Sequence, residues 1–563
     1  MPQILIYEEN KPYVIDQFHN GRFDYIDVVQ EVVQQDFFRY ISSTSLLSRL
    51  AESYPWPRSK EEVPRWFYIA ADMAMRLHGN PAFRGFPWVV RTGGLLSAFG
   101  PKIGTKHVDS DGTVRIECPG FNAKNAYPRQ TPCDPDFLRK IAKDTPPESL
   151  VAWFNGPVQQ IFRRHRHFDK GGILIGDGSY VFVPDNENYK GSVKMFFDEN
   201  DHPVGKEQAK KMSDAQLKMC QWRRCYKMIS LLHTNENGDF FLYAGMRIVP
   251  GNDHECPILW EMVDEFVKVM GKGVIKELLL DRGFLDGAAI GKVKTQYDID
   301  VTIGVKRNMN VFEDALALAN LPETQWESYT REGTEPPVPF KRNYSDAPRP
   351  EHIKQREATR QQTLNKQRAA GERPPVKEPE QLKLARIKGL TSWSSCPVPL
   401  DVVVCRDSKD ESLDNAWGIL TTKQDELKAV PVAKRYHFRI HIEERHRHLK
   451  CFWDLAGFSS PCFSLVVNQI IFTVLTYSLL QQQIFRKNRK ALNKASKSRL
   501  LEELTPVSEA VIVYVDHYYA VFDKLEYTGM VLDVPEAARG KLRKLLKRKR
   551  TETRVVNATR APP

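Results

Sequence analysis

The strongest constraint on the fold is an alternation of continuous apolar runs with amphipathic segments over residues 171–307. Runs such as ILI at 173–175 and LLL at 278–280 contain no polar residue, which is typical of strands buried on both faces of a sheet. Between these runs, ECPILWEMVDEFVKVM at 255–270 has its apolar residues at helical spacing. Strands that alternate with helices in this way predict an α/β layer.

This pattern breaks at 322–388, where Pro, Glu, Lys, Arg and Gln dominate and no aromatic residue occurs between Ser345 and Thr391. Such a composition buries too little apolar surface to offset the entropy of ordering. Two β-like runs, PLDVVVCRDS and NAWGILTTK, follow it. We therefore predict an insertion over 322–430 that is disordered over 322–388 and β-rich over 389–430.

The flanking segments give the rest of the predicted layout. Helical spacing is common over 1–165, which is predicted as a mainly helical N-terminal domain that either binds DNA or serves only in packing. Residues 166–321 and 431–530 are predicted as the two parts of one α/β core. Residues 531–563 are predicted as a basic tail.

Charge favours a polyanionic partner. The formal net charge is +12, and the stretch RGKLRKLLKRKR at 539–550 carries eight Lys or Arg in twelve residues. A nucleic-acid-binding arm is the functional interpretation of this stretch, and a solvated tail is the alternative.

Composition argues against a secreted or membrane protein. The nine cysteines form no CxxC pair, so a disulfide scaffold is not expected. The N-terminus lacks a basic-then-apolar signal pattern, which predicts an intracellular protein. The apolar stretch at 462–480 includes Asn468 and Gln469, and this polar content favours a buried core helix over a membrane span.

One segment, RYHFRIHIEERHRHLK at 435–450, places charge in an unusual pattern. If it is a helix, Tyr436, Arg439, Glu443 and Lys450 fall within an arc of roughly 60° and Arg447 lies just beyond it. A solvated face usually mixes charges of both signs. One carboxylate in a cationic row instead predicts that an anion binds there and that the acid has a separate task.

Three acids are candidates for that task. Asp177 follows one apolar run, Asp281 ends another, and Glu443 lies on the cationic face. Carboxylates beside buried strands are costly unless they are paired or bind a metal, and oxygen donors suit Mg²⁺ or Mn²⁺, the ions of phosphoryl transfer. Singly, each has an ordinary alternative: a hairpin turn at GDGS, a strand-end turn at LDRG, and a helix ion pair for Glu443.

Two further patterns on the same segment offer alternatives. Glu444 competes with Glu443 as the third acid, but it points off the shared face by the same helical count. His437, His441 and His448 form a neighbouring stripe whose spacing is compatible with zinc. The sequence places no cysteine or other further ligand beside them.

A family resemblance brings these observations together. Tyr436, Arg439, Glu443 and Lys450 match Y-x2-R-x3-E-x6-K at every spacing. This resembles the signature of DDE transposases of bacterial insertion sequences, in the insertion-sequence-four group. The order of two Asp, an insertion and then the signature is similar as well, and AWGILTTK resembles the strand that closes the insertion in such proteins. The resemblance covers roughly 170–485 and implies an RNase H-like core.

The resemblance also implies roles for these residues. Asp177, Asp281 and Glu443 become the catalytic triad that binds Mg²⁺, with Mn²⁺ as a substitute. Tyr436, Arg439 and Lys450, with Arg447 beside them, become contacts to transposon-end DNA. Trp417 is predicted to stack on a displaced base, with Trp393 as a weaker candidate, and the alternative is that Trp417 packs in the β layer.

The expected function is therefore cut-and-paste transposition. Such an enzyme binds inverted repeats, hydrolyses the phosphodiester at each end, and joins the 3′-hydroxyl ends to target DNA. We expect a homodimer on double-stranded DNA, in the cytoplasm of a bacterium or archaeon at its nucleoid, without a membrane partner. The alternatives are an RNase H-like nuclease without strand transfer and a domesticated, non-catalytic DNA-binding protein.

Overall fold

The structure of the 563-residue chain is a computed structural model. It describes residues 3–6, 8–29, 33–77, 79, 81–86, 103–112, 114–117, 133–331, 379–425, 428–493, 495 and 510–558. The chain divides into two compact units. The first contains residues 1–146, 452–454 and 494–563, and the second contains residues 147–451 and 455–493.

Seventeen strands lie in the described part of the chain. They are β1 Gln3–Ile6, β2 Glu8–Glu9, β3 Tyr25–Val29, β4 Ile103–Val108, β5 Val114–Glu117, β6 Ile173–Val183, β7 Val193–Phe197, β8 Gln221–Thr234, β9 Leu242–Pro250, β10 Glu277–Leu280, β11 Asp300–Gly304, β12 Glu327–Arg331, β13 Glu380–Leu390, β14 Leu400–Asp407, β15 Trp417–Thr421, β16 Ala510–Val515 and β17 Tyr518–Phe522.

The α-helices of the same part of the chain connect and cover these strands. They are α1 Lys11–His19, α2 Val33–Ser43, α3 Leu46–Ser53, α4 Arg65–Leu77, α5 Pro135–Asp144, α6 Pro147–Trp153, α7 Gln159–Arg164, α8 Lys206–Lys211, α9 Asp214–Met219, α10 Glu255–Met270, α11 Gly287–Tyr297, α12 Asn310–Ala319, α13 Ala429–His437, α14 Ile440–Phe452, α15 Phe463–Arg486, α16 Lys524–Leu532 and α17 Glu536–Ala558.

The second unit is built on a ten-stranded mixed sheet. Its order is β12-β13-β14-β15-β11-β10-β6-β8-β7, and β9 also pairs with β8. Strand β10 runs parallel to both β6 and β11, whereas β8 runs antiparallel to β6. Leu278, Leu279 and Leu280 of β10 are at most 1% exposed, so the continuous apolar run does form a strand covered on both faces. The predicted α/β class is confirmed.

Strand β6 differs in one respect from the sequence interpretation. The Asp-Gly pair at Asp177 and Gly178 lies inside a single eleven-residue strand, so the alternative of a hairpin turn is wrong. The reason is that β6 pairs continuously with the long strand β8, from Ile173 opposite Thr234 to Val183 opposite Arg224. A pairing so distant in sequence outweighs the local preference of Asp-Gly for a turn.

The apolar stretch at 462–480 lies in α15, a helix of the second unit. Among the described residues this is the one helix long and apolar enough to cross a membrane, and 83% of its most apolar window is buried inside the protein. The Ser478 hydroxyl accepts a hydrogen bond of 3.1 Å from the backbone N–H of Tyr243 on β9. The ring of Phe472 lies 6.1 Å from that of Trp153 on α6. These contacts match the expected core helix.

The predicted insertion is corrected at both of its ends. Residues 327–331 and 380–388 lie in β12 and β13, which extend the main sheet, so the expectation of disorder over all of 322–388 is wrong there. In β13 the buried Leu382 and Leu384 alternate with the less buried Gln381 and Lys383, and a strand near the edge of a sheet needs only one apolar face. Residues 332–378 lie outside the described residues. Strands β14 and β15 occupy the part predicted to be β-rich.

A buried ion pair joins the inserted strands. The Arg386 guanidinium on β13 lies 2.7 Å from the Asp401 carboxylate on β14, with both side chains at most 4% exposed. It also donates to Asp425 at 2.8 Å and to the carbonyl of Lys423 at 2.7 Å. Charge-assisted bonds of this kind fix geometry, and these bonds fix the chain that leaves β15 toward α13.

The first unit corrects the predicted layout at the two termini. It contains the sheets β1-β4-β5 and β2-β17-β16-β3 besides its helices, so a mainly helical N-terminal domain is an incomplete description. Strands β16 and β17 pair with β3 and β2 of the N-terminal segment and do not extend the α/β core. The core's predicted end at 530 is therefore wrong. Residues 87–102 of the predicted N-terminal domain lie outside the described residues.

The predicted basic tail is also corrected. Residues 536–558 form helix α17, of which Leu542 and Leu545 are at most 5% exposed within the core of the first unit. Two leucines spaced three residues apart give the helix a narrow apolar stripe between its cations. The basic stretch is thus part of a folded unit, with a packed side and a charged side.

Candidate active site

Asp177 and Asp281 lie next to each other on adjacent parallel strands. Gly176 of β6 is the register partner of Leu280 of β10. Asp177 directly follows Gly176, and Asp281 directly follows Leu280. Asp281 keeps an extended backbone, with φ −79° and ψ 156°. Neighbouring strands lie roughly 4.8 Å apart, so two residues 104 positions apart in sequence are neighbours in space.

The two carboxylates point to the same face of the sheet. A β-carbon on Gly176 would lie 2.7 Å from side-chain atoms of Leu259 and Leu280, so this position faces helix α10. Because successive residues of a strand point to opposite faces, Asp177 and Asp281 point away from α10.

Helix α14 covers that opposite face. Lys450 donates a hydrogen bond of 2.7 Å to the hydroxyl of Ser179, two residues after Asp177 on the same face of β6. His446 Nε2 lies 2.8 Å from the hydroxyl of Ser230, and Ser230 is the register partner of Asp177 on β8. The helix that carries Glu443 therefore lies over the two strands that carry the aspartates.

The predicted continuous helix over 435–450 is corrected to two helices. Helix α13 ends at His437 and α14 begins at Ile440. Between them the chain tightens: the N–H of Phe438 bonds to the carbonyl of Arg435 at 3.1 Å, and the N–H of Arg439 to that of Tyr436 at 3.0 Å. Such bonds to the third preceding residue overwind the helix, so the predicted angles hold within α14 but not across the junction.

Glu443 is paired within its own helix region. Its Oε1 lies 2.5 Å from Arg439 Nη1 and 48% of its side chain is exposed. Arg439 in turn lies 5.9 Å from the ring centre of Tyr436. Burial works to lower the pKa of Arg439, but the charges of Glu443, Tyr436 and Asp281 outweigh it and leave that pKa raised. Arg439 is therefore within electrostatic reach of both Glu443 and Asp281.

Electrostatics also link Asp177 to this group. Burial chiefly, and then the charge of Glu443, raise the pKa of Asp177 to about 7 against the opposing effects of Arg439 and of the Gly178 N–H. The charge of Glu255 adds to the increase. A carboxyl group whose pKa is raised this far has too little positive charge nearby to stabilise its ionised form. A bound cation would supply that charge.

The remaining residues predicted to contact DNA differ in their surroundings. Burial lowers the pKa of Lys450 to about 8. Tyr436 is partly buried with its hydroxyl against Gly304 at the end of β11, and burial is also the main reason that its pKa is raised. Arg447 is partly buried, one helical turn after Glu443. The signature residues therefore surround the aspartates but are not an exposed row.

The donor set fits a hard divalent cation, although the side chains as placed do not form a closed site. Among the described residues, no group of three or more His, Cys, Asp or Glu side chains is arranged to hold a metal ion. Asp177, Asp281 and Glu443 offer only carboxylate oxygens, as Mg²⁺ and Mn²⁺ prefer. Glu443 is engaged by Arg439, so its carboxylate must exchange this partner for a cation.

The two alternatives raised by the sequence gain no support. Glu444 contacts its neighbours His441 at 3.3 Å and Arg445 at 3.2 Å. In the histidine stripe, His437 Nδ1 lies 3.3 Å from the hydroxyl of Tyr329. His448 is buried, and no zinc-like group occurs in the described parts of the chain.

Trp417 begins β15, opposite Cys405 of β14. It is partly buried against an apolar cluster that Tyr436 also contacts. Trp393 packs against the large core cluster of the second unit. Of the two tryptophans, Trp417 is therefore the one that shares its surroundings with a signature residue.

Sequence reasoning missed three polar residues near the aspartates: Ser230, His446 and Glu255. His446 is 3% exposed, and its Nδ1 lies 3.7 Å from Asp177 Oδ2. Burial lowers its pKa to about 3, so the imidazole is neutral. His446 could have been found from the sequence, because it lies three residues after Glu443 and residues at this spacing are neighbours on a helix surface. No pattern in the sequence pointed to Ser230 or Glu255.

Comparison with known proteins agrees with this geometry. A family model described as Transposase DDE domain matches residues 189–479, just over half of the chain. The match includes Asp281, Trp417 and the signature residues and begins twelve residues after Asp177. No curated protein matches the chain. The chain belongs to the family of transposases with a DDE domain.

Proposed function

We propose that this protein is a cut-and-paste transposase of the insertion-sequence-four group. It binds the inverted repeats of its element, hydrolyses the phosphodiester at each end, and joins the freed 3′-hydroxyls to target DNA. The observation that carries the proposal is the register of β6 with β10, because it brings Asp177 beside Asp281 on the face covered by the helix of Glu443.

The sheet supports an RNase H-like assignment of the core. The mixed arrangement in which β8 is antiparallel to β6, while β10 and β11 run parallel to it, agrees with the core that the family resemblance implies. The acids stand where β10 ends and β6 continues, so the edge of β6 is open beside them.

Asp177, Asp281 and Glu443 are the residues proposed to hold Mg²⁺, with Mn²⁺ as a substitute. Bound ions of this kind activate a water or a 3′-hydroxyl and stabilise the leaving oxygen. The three carboxylates contribute the charge and the oxygen atoms for this binding. His446, hydrogen-bonded to Ser230, limits the movement of Asp177 from the side of the helix.

The cationic residues are proposed to hold DNA near the scissile phosphate. Arg439 turns from Glu443 to a phosphate oxygen when the carboxylate takes up its new partner, and Lys450 and Arg447 extend the contact along α14. Guanidinium and ammonium groups hold phosphate by charge-assisted hydrogen bonds. Tyr436 adds a hydroxyl at the end of β11.

A strand-transfer assay tests the proposed function. Pre-cut element ends with free 3′-hydroxyls are incubated with the protein, Mg²⁺ and a target plasmid, and joined products are expected. Cleavage of uncut ends without joining would favour an RNase H-like nuclease, and end binding without either reaction would favour a non-catalytic DNA-binding protein. Joining two ends also predicts a complex with two protein chains, which light scattering on DNA would measure.

Trp417→Ala is expected to separate the steps of excision. If Trp417 stacks on a displaced base, the variant binds ends and nicks the first strand but slows second-strand processing by roughly tenfold or more, since stacking contributes ~1–3 kcal/mol. Gel assays of each strand measure this, with Trp417→Phe as the conservative control. A lower melting temperature with all steps impaired together would instead show that Trp417 only packs its cluster.

The double variant Arg543→Gln/Lys544→Gln is expected to weaken the salt dependence of DNA binding. Both residues are exposed on α17, opposite the buried Leu542 and Leu545. Each lost phosphate contact lowers the slope of log affinity against log salt by about 0.9, so the expected decrease is roughly 2. Fluorescence anisotropy at several salt concentrations measures the slope.

The matched control for this variant is Lys206→Gln/Lys211→Gln. It removes two exposed charges from α8 of the second unit. A slope lowered equally by both variants would mean that net charge alone matters, and an unchanged slope in the α17 variant would make this helix a solvated surface. Deletion of 539–563 is not a clean test, because it removes buried leucines.

A further inference from the structure

Positive charge is concentrated at the ends of two helices in the second unit. Helix α7 ends at Arg164 and helix α15 ends at Arg486. Residues 163–170 and 486–490 together carry eight Lys or Arg and one carboxylate, that of Asp169. The eight cationic residues, all of them exposed, are Arg163, Arg164, Arg166, Lys170, Arg486, Lys487, Arg489 and Lys490. We call this set the basic patch, and its formal net charge is +7 with Asp169 included.

Hydrogen bonds join the two segments into one surface. Arg486 donates through Nη2 to the carbonyl of His165 at 2.5 Å, and the side-chain amide of Gln482 donates to the carbonyl of His167 at 3.4 Å. Arg163 donates to the carbonyl of Met270 at the end of α10. Because these bonds connect elements that are distant in sequence, the two groups of cations are held next to each other.

Stabilisation of the two helix ends accounts for little of this charge. The C-terminus of a helix carries about half a negative elementary charge, so two ends offset about one of the positive charges. Of the acids nearby, Asp239 lies 3.2 Å from Lys490. Glu236 is paired at 3.0 Å with Arg435, which is outside the patch. An excess of about five positive charges is therefore left at one exposed surface.

The basic patch adjoins the junction between α13 and α14. The loop between β8 and β9 separates the two, because a β-carbon on Gly238 of this loop would lie 3.6 Å from the ring of Phe438. The next residue of the loop, Asp239, contacts Lys490 of the patch. Arg439, a proposed phosphate contact, directly follows Phe438. The patch therefore continues the cationic surface that is proposed to hold DNA.

The patch is also close enough to the aspartates for one duplex to span both. Lys170 precedes Asp177 by seven residues, and seven residues extend over at most roughly 25 Å. This length corresponds to about seven base pairs of B-DNA, at about 3.4 Å per base pair. A duplex with its scissile phosphate at the aspartates can thus reach the patch.

We propose that the basic patch is a second phosphate-binding surface, which holds the duplex of the element end several base pairs away from the phosphate that is cleaved. The inference rests on the proposed function, since it concerns the same DNA. An excess of one charge sign over an exposed surface is the footprint of a polyanion. A protein partner would instead favour an apolar centre with few lysines. Contacts to phosphate fix the position of a duplex without reading its sequence, so the patch sets how the element end lies along the protein.

Two double variants test the inference, Arg164→Gln/Arg166→Gln and Lys487→Gln/Arg489→Gln. Both leave Arg163 and Arg486 in place, because these two side chains hold the helix ends together. Binding is measured by fluorescence anisotropy at several salt concentrations on two duplexes that contain the element end. The short duplex extends about five base pairs to each side of the cleaved phosphate, so it ends about 17 Å away. The long duplex extends about twenty base pairs, roughly 68 Å.

Each variant is expected to bind the short duplex as the unaltered protein does. On the long duplex, the slope of log affinity against log salt should fall by roughly 2, since each lost phosphate contact lowers it by about 0.9. Lys206→Gln/Lys211→Gln is the matched control, because it removes two exposed charges from α8 of the same unit. This control should keep the slope of the unaltered protein on both duplexes.

Three results would overturn the inference. Unchanged slopes in both variants would make the patch a solvated surface, and an equal decrease on the two duplexes or in the control would show an effect of net charge alone. Normal binding of the long duplex with loss of joining to a target plasmid would assign the patch to target DNA. If the glutamine variants do not fold, as judged by circular dichroism, a Gln substitution of Lys170 alone should still lower the slope on the long duplex by about 0.9.

Failure of the proposed function would look different, because these measurements require no reaction. An unaltered protein that binds the long duplex but neither cleaves nor joins ends would overturn the proposed function. The dependence of its salt slope on the patch would still decide whether this surface holds the duplex.

Discussion

Asp281→Asn should lower the rate of end cleavage in Mg²⁺ by roughly 10³-fold, because the loss of one metal ligand forfeits several kcal/mol of transition-state stabilisation. The replacement keeps the shape of the side chain and removes its charge, so the strand end and the turn after β10 should persist. Binding of element ends should be retained, since the proposed phosphate contacts come from α14 and the junction before it.

The measurement is a single-turnover cleavage assay on an end-labelled duplex, with a mobility-shift assay beside it. Asp314→Asn is the matched control, because Asp314 is exposed on α12 and has no proposed role. It should cleave at the rate of the unaltered protein. Normal cleavage by Asp281→Asn in Mg²⁺ would exclude Asp281 from the metal site and remove the main support for the proposed function.

The sequence alone could predict that Asp177 and Asp281 lie close together, because both follow short apolar runs. Strands that are buried on both faces are usually parallel and adjacent, so acids that directly follow their apolar runs are expected to lie close together. The apolar periodicity also predicted the helix that covers this face of the sheet, because Ile442 and Leu449 are buried on α14 as their spacing indicates. These features depend on local patterns of eight residues or fewer.

Long-range pairings were not predictable from the sequence. Strand β16 pairs with β3 although their residues are separated by more than 480 positions, and no local pattern encodes such a partner. The same limit applies to the site. Ser230 and Glu255 reach it only because β8 crosses beside β6 and α10 begins there. Composition assigned 380–388 to disorder, yet the buried pair Arg386–Asp401 holds that strand in the sheet.

Asp177→Asn is expected to stabilise the metal-free protein while it abolishes cleavage. Burial, followed by the charge of Glu443, raises the pKa of Asp177 from 3.8 to about 7. A group whose pKa is raised in the folded state holds a proton there that the unfolded chain releases, so the stability it contributes is present at low pH and is lost as pH rises from about 4 to about 7. Asparagine does not titrate, so the stability of Asp177→Asn does not decrease in this way over the same pH range.

The size of the effect follows from the same two pKa values. A shift from 3.8 to about 7 corresponds to a stability difference on the order of 4 kcal/mol in favour of Asp177→Asn at pH 8. At pH 4 the carboxyl is protonated in the folded protein, and the two proteins should differ little. Urea denaturation in EDTA at several pH values measures the difference, and comparison with the unaltered protein cancels the contribution of other titrating groups.

Divalent cations should offset much of the stability difference between the two proteins. At pH 8, Mn²⁺ well above its dissociation constant stabilises any protein that binds it only when folded, by about 2.7 kcal/mol at a hundredfold excess over that constant. The unaltered protein should gain this stability and Asp177→Asn should not. If the two proteins instead showed the same dependence on pH and on Mn²⁺, Asp177 would be an ordinary solvated carboxylate, and the crowding of acids around it would have no function in cation binding.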